Sequence, residues 1–224
     1  PSPADTLHTA MNITAIGAHP DDIEIGAGGA LALHRARGHR VRFLILTQGG
    51  KLSAEDRRAA EARAAADVLD VDDVRFLGYD DTRVPYDDDI VERLDEHLSE
   101  TGTDRVYVHT EEDTHQDHRR AALASVAAGR DTDEVLAFES PSTRSSFDPQ
   151  YYIPLSEEFL ERKIAAIRSH ESQQEKKYLE AEAMKGLARF RGRQANTRYA
   201  EAFQVIRIKQ QPDGNRELTP ELLD

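Results

Sequence analysis

The chain of 224 residues contains no cysteine. Disulfides, thiolate metal sites and a cysteine nucleophile are excluded together. No apolar run approaches the about 18 residues of a membrane span, and residues 1–10 are too polar to form the core of a signal peptide. A soluble, cytoplasmic protein is expected. Lysine is scarce: 6 Lys stand beside 23 Arg, and 42 acidic residues against 29 basic leave a net charge of −13. Such a surface repels a phosphate backbone, so nucleic acid is not an expected partner. Acidic excess with few lysines resembles salt-adapted, halophilic proteins; a GC-rich genome also favours Arg over Lys.

What is present suffices for one sizeable core: 38% of the residues are hydrophobic, and apolar runs alternate with amphipathic segments. Strands are predicted over 12–18, 40–47, 74–77, 105–109 and 135–138, and helices over 28–37, 55–69, 87–98 and 117–128. Then the pattern changes. Residues 140–154 are Ser/Pro-rich and extended, 157–178 read as a helix and 199–208 as a closing strand. The alternation predicts a Rossmann-like, doubly wound α/β fold with a mainly parallel sheet of core order 3-2-1-4-5 and a C-terminal helix and strand extension. One domain spans 1–224, with 1–11 read as an N-terminal extension and 210–224 as a loose tail.

Two short clusters, His19-Pro20-Asp21-Asp22 and His115-Gln116-Asp117-His118, follow the first and fourth strands. A zinc ion that activates water takes three ligands from His, Asp and Glu, keeps one position open, and needs an unligated group nearby to move protons. Pro20 stiffens the first turn, so His19 and Asp22 can face one point while Asp21 reaches the same cavity unligated. His115 and His118, also three apart, share a face at a helix entry, and either could ligate while the other stays free. Each cluster alone has a plainer reading, Asp21-Asp22 as helix caps and the histidines as surface groups. Topology favours the metal site. Strands one and four are neighbours where the winding reverses, and ligands bind beyond their carboxyl ends, so both clusters are delivered to one crevice.

These residues carry a family resemblance. Ala18-His19-Pro20-Asp21-Asp22-Ile23-Glu24, Gly28-Gly29, Leu46-Thr47-Gln48-Gly49 and Asp113-Thr114-His115-Gln116-Asp117-His118-Arg119 are similar to the LmbE-like, PIG-L-type de-N-acetylases. Lys163-Ile164 with His170-Glu171-Ser172-Gln173, and Tyr199-Ala200-Glu201-Ala202-Phe203, extend the similarity over about 12–208. The resemblance implies a hydrolase dependent on zinc, or on another divalent metal, that removes acetyl from an N-acetylated sugar or glycoconjugate of N-acetylglucosamine type and releases acetate. It implies His19, Asp22 and His118 as metal ligands and Asp21 as general base. A protonated His115 would stabilise the oxyanion or protonate the amine, with Asp117 orienting it. No organic cofactor is implied. The alternatives are a non-catalytic metal- or ligand-binding protein, or an amidase or esterase acting on a non-sugar acyl group. Retention of Asp21 speaks for catalysis, since metal binding alone needs no free base. The oligomeric state is left open, a homo-oligomer included.

The chain departs from the family after its second strand. Many relatives carry Gly-Glu and an Arg-bearing loop there, whereas this sequence has Gly49-Gly50-Lys51 and a short loop to Glu55. Arg57 is the nearest candidate substrate contact, though a solvated helix-face Arg is the plainer reading; Arg83 and Arg144 are expected on the surface. Gly26-Ala27-Gly28-Gly29 resembles a dinucleotide-binding loop but comes too late after its strand, and Thr47-Gln48 stand where a ribose-binding acid belongs. Close helix-to-sheet packing is the expected role. Tyr151-Tyr152 are read as strand-edge packing rather than a sugar platform, and His170 either approaches the crevice or packs its own helix.

Overall fold

Short, nearly continuous apolar runs need cover on both faces, and the computed structural model, which describes residues 10–50 and 52–209, supplies it. Strands β1 (Asn12–Gly17), β2 (Arg40–Thr47), β3 (Asp73–Tyr79), β4 (Arg105–His109) and β5 (Glu134–Phe138) pair in parallel in the order 3-2-1-4-5. Helices α1 (Asp22–Ala36), α2 (Leu52–Val68), α3 (Asp88–Glu100) and α4 (Gln116–Ala128) make the crossovers. Side chains alternate between two cores. Ile13, Ala15, Phe43 and Ile45 pack with Leu31, Ala62 and Ile164 on one face; Ile16, Leu44 and Leu46 pack with Leu94 and Ala121 on the other. The expected 210–224 tail and nearly all of the N-terminal extension lie outside the described residues; Met11, within them, packs against the first core. No described helix is long and apolar enough to cross a membrane.

Helix α1 starts earlier and α5 ends earlier than expected, and two further elements, a helix and an edge strand, appear, each for a physical reason. Helix α1 starts at Asp22, so the glycine run is helical. A Cβ at Gly26 would stand 2.2 Å from Phe138 Cδ2 and one at Gly29 2.5 Å from Leu155 Cδ1, so close approach of helix to sheet outweighs the low helix propensity of glycine. Gly26→Ala would gain about 1 kcal/mol of propensity and meet an overpacking cost of about 1–3 kcal/mol. A net loss is expected, read as a lower urea midpoint; an unchanged or raised midpoint would show that the gap is not tight.

Helix α5 (Glu157–Arg168) stops ten residues short of 178. His170 turns inward instead, with Nε2 2.9 Å from Glu24 Oε1 and both side chains fully buried. After two 3-10 turns comes α6 (Ala181–Gln194), which the sequence reading missed because only Met184, Ala188 and Gly192 are buried on an otherwise polar helix. The extended stretch contains a strand, β6 (Tyr151–Leu155), at the sheet edge, where Pro154 is tolerated. Strand β7 (Tyr199–Ile208) lies antiparallel between β5 and β6. Tyr151 sits on this edge beneath the Arg105 guanidinium, and Tyr152 donates to Pro149 O.

Candidate functional site

Strands β1 and β4 pair only through Ile13–Ala15 and Arg105–Tyr107, and beyond that point they part. The gap is floored by an imidazole. His109, buried at the end of β4, receives the Ala18 N–H on Nε2 at 3.1 Å, where a ladder bond would otherwise go, and its ring stacks on His118 with centroids 4.2 Å apart.

The turn before α1 brings its side chains into this gap. Asp22 Oδ2 accepts the backbone N–H of His19 at 2.7 Å. Asp21 occupies the left-handed region at φ 102°, a conformation costing a non-glycine residue on the order of 1–3 kcal/mol. It does not cap the helix: its side chain makes no cap hydrogen bond, and Oδ2 is buried with no hydrogen-bond partner among the described residues. At α4 the cap is His115, whose Nδ1 accepts the Asp117 N–H, which places the proton of a neutral ring on Nε2.

Around Asp22 the two clusters meet. His19 Nδ1 lies 3.3 Å from Asp22 Oδ2 and His118 Nε2 3.3 Å from Asp22 Oδ1. The outer nitrogens also face carboxylates: His19 Nε2 is 3.2 Å from both Asp117 Oδ2 and Asp81 Oδ1, and His118 Nδ1 is 3.0 Å from Asp113 Oδ2. Donor atoms of His19, His115 and His118 fall within 4.8 Å of one another, as do those of Asp22, His109 and His118. The cluster opens onto a cavity of about 460 Å³, whose other walls include Arg58, Asp81, Ser142 and Lys176.

Charge at the cluster favours a cation. Burial alone would lower the pKa of His19, but the carboxylates of Asp117, Asp22 and Asp81 outweigh it and push it up to about 12; His118, facing Asp22 and Asp113, is raised to about 9 despite burial. Burial would raise Asp22, yet the His118 and His109 rings hold it well below the usual carboxylate range. The field that draws protons onto these rings favours a divalent ion in their place, released protons being part of metal binding. Inner nitrogens aimed at a carboxylate, with outer nitrogens held by carboxylates, also match the way metal-binding histidines are oriented. The residues therefore fit a divalent metal. Asp21 differs from its neighbour: burial and the Asp22 charge raise it to about 6, against the pull of Arg58 and Lys176.

The part given to the Asp117 carboxylate needs correction. The Asp117 carboxylate faces His19 and accepts the Thr82 N–H at 2.8 Å, while only its backbone touches His115. Burial and the positive His118 and His19 rings lower the pKa of His115, which favours the neutral ring over the protonated one that the resemblance implies. Arg57 is exposed and pairs with Glu61; the residue at the cavity is Arg58, which donates to Pro20 O at 2.7 Å. Arg58 passes so close to Gly49 that a Cβ there would meet Nη1 at 2.3 Å, and Gly49 has φ +64°, so this turn requires glycine. Arg83 and Arg144 are exposed and do not line the cavity, and His170 lies beneath it.

Arg58, Asp81, His109 and Lys176 were not singled out from the sequence, and Asp113, which opens the second motif, was given no role there. Arg58 had a readable signal, because with Ala62, Ala65 and Ala66 it completes the buried stripe of α2. The others reach the site from separate elements.

Fold and site define a Rossmann-like α/β protein with a histidine–carboxylate centre at its topological switch point. The family model of GlcNAc-PI de-N-acetylase matches residues 14–129. The uncharacterized deacetylase YaiS of Escherichia coli K12 is 36% identical over 168 residues, covering 71% of this chain and 90% of that protein. The diacetylchitobiose deacetylase of Thermococcus kodakarensis is 25% identical over 90% of this chain and 85% of its own length. Among solved structures, the conserved protein TT1542 of Thermus thermophilus superposes with a TM-score of 0.79 at 25% identity, covering 91% of this chain and 99% of that one. The chain belongs to the PIG-L (LmbE-like) deacetylase family.

Proposed function

We propose that the protein is a zinc-dependent hydrolase that removes acetyl from an N-acetylated sugar or glycoconjugate of N-acetylglucosamine type. The observation that carries this reading is the carboxylate of Asp21, buried, on a strained backbone, with Oδ2 lacking a hydrogen bond among the described residues and its pKa raised to about 6 beside a cluster with the donor set for a metal. A pure binding site needs no such group. The named activity of the Thermococcus kodakarensis relative supports the sugar class.

His19 through Nδ1, Asp22 and His118 through Nε2 would hold the ion. Bound there, zinc supplies Lewis-acid polarisation of the acetamide carbonyl and lowers the pKa of water towards about 7. Asp21 accepts the proton of the attacking water. The neutral His115 donates its Nε2–H to the carbonyl oxygen as charge develops, an effect of about 3–4 kcal/mol for a well-placed donor. Water adds to the acetamide carbon, the C–N bond breaks, and the proton collected on Asp21 passes to the departing nitrogen, leaving acetate and the amino sugar. Asp117 and Asp81 keep the His19 ring in place from its outer side.

The test is acetate release from a panel comprising N-acetylglucosamine, diacetylchitobiose, N-acetylated amino acids and simple acetyl esters, assayed with the zinc-loaded protein. Preferential release from the sugars is expected. Release from only the amino acid amides or esters would make it an amidase or esterase, and release from none with metal bound would leave a binding protein.

A further inference from the structure

Asp113 is a fully buried carboxylate to which the proposed chemistry gives no part. It grips both histidines of the second cluster: Oδ1 accepts the backbone N–H of His115 at 2.7 Å, and Oδ2 lies 3.0 Å from His118 Nδ1. Oδ2 also accepts the Ser140 hydroxyl at 2.7 Å. The backbone of Asp113 bridges to Thr143, and the Thr114 N–H donates to Ser142 O at 3.0 Å. The segment after β5, whose Pro141 and Ser142 line the cavity, is thus fastened to the same residue.

We propose that Asp113 is a positioning residue that fixes the tautomer and the direction of His118 and couples that ring to the cavity wall. An imidazole has two nitrogens, and an ionised acceptor at Nδ1 keeps the proton there. In the neutral ring that takes a metal, Nε2, 3.3 Å from Asp22 Oδ1, is then left with its lone pair inward. With the acceptor removed, the ring can place its proton on Nε2 towards the Asp22 carboxylate and compete with a metal for that position. Carboxylate partners of this kind are worth about 10- to 100-fold in metal affinity. This role rests on the reading of His118 as a ligand through Nε2.

The experiment compares parent, Asp113→Asn and Ser140→Ala as full chains. Zinc affinity is measured by competition with a chromophoric chelator, and the His118 tautomer is read from histidine side-chain nitrogen shifts of the zinc-loaded protein. In the parent, His118 is expected to carry its proton on Nδ1. Asp113→Asn should weaken zinc binding about 10- to 100-fold, with far-UV circular dichroism unchanged. Ser140→Ala, which keeps the carboxylate but removes a partner, should weaken it less and in the same direction; it carries the test should Asp113→Asn not fold. Parental zinc affinity in a folded Asp113→Asn, or in Ser140→Ala when that variant alone folds, overturns the role of Asp113 while leaving the metal site standing. A parent that binds no divalent ion, or binds it through His118 Nδ1, overturns the ligand reading itself.

Discussion

Asp21→Asn is expected to lower turnover about 100- to 10,000-fold, the usual worth of a positioned general base, while zinc stays bound. Asparagine has the same shape and tolerates the left-handed backbone at φ 102°, so the turn should survive. What it loses is the ability to accept a proton beside the cluster. Arg58 Nη2, 3.5 Å from Oδ1, and Lys176 Nζ, 3.8 Å from Oδ2, would face an amide in place of an anion. Because the substitution also relieves the repulsion between Asp21 and Asp22, a large loss of stability is not expected. Initial rates of acetate release, with metal content and melting temperature measured on the same preparation, check the result. Near-parental turnover would sink the assignment of Asp21 as base.

The second large effect is on the metal. His19→Ala and His118→Ala should each strip most of the bound zinc, and a chelator should abolish activity in the parent. Each variant removes one of three proposed ligands and leaves Asp22 with a single remaining imidazole partner from the set. His115 gives the experiment its internal control, since its donor atom lies within 4.8 Å of those of His19 and His118. Elemental analysis of His115→Ala should show metal retained with turnover lowered. If His115→Ala loses zinc while His118→Ala keeps it, the two rings have exchanged roles; stoichiometric zinc in both His19→Ala and His118→Ala would refute the ligand set.

Much of this arrangement is legible before any coordinates. Strand β1, β2 and β4 positions were readable because buried parallel strands are short apolar runs, and the observed order 3-2-1-4-5 is one of those that alternation and handedness allow. Other features were illegible for reasons of distance. Helix α5 has no local stop signal at Arg168, because what ends it is the pairing of His170 with Glu24, 146 residues away. Asp117 stands two residues from His115, and the family resemblance paired the two. Its carboxylate instead crosses to His19, 98 residues away.

Local pattern was enough to specify a doubly wound core, and within it the order 3-2-1-4-5 brings the His19–Asp22 and His115–His118 clusters to one switch point. They also set the chemical vocabulary of the site, imidazole and carboxylate without thiolate. Which atom faces which was settled only in the folded chain. The lowered pKa of His115, the outer carboxylates on His19 and His118, and the choice of Arg58 over Arg57 depend on burial and on charges brought together from separate elements. Electrostatic fields and ring orientations are set by distances through space, and those distances exist only once the chain has folded.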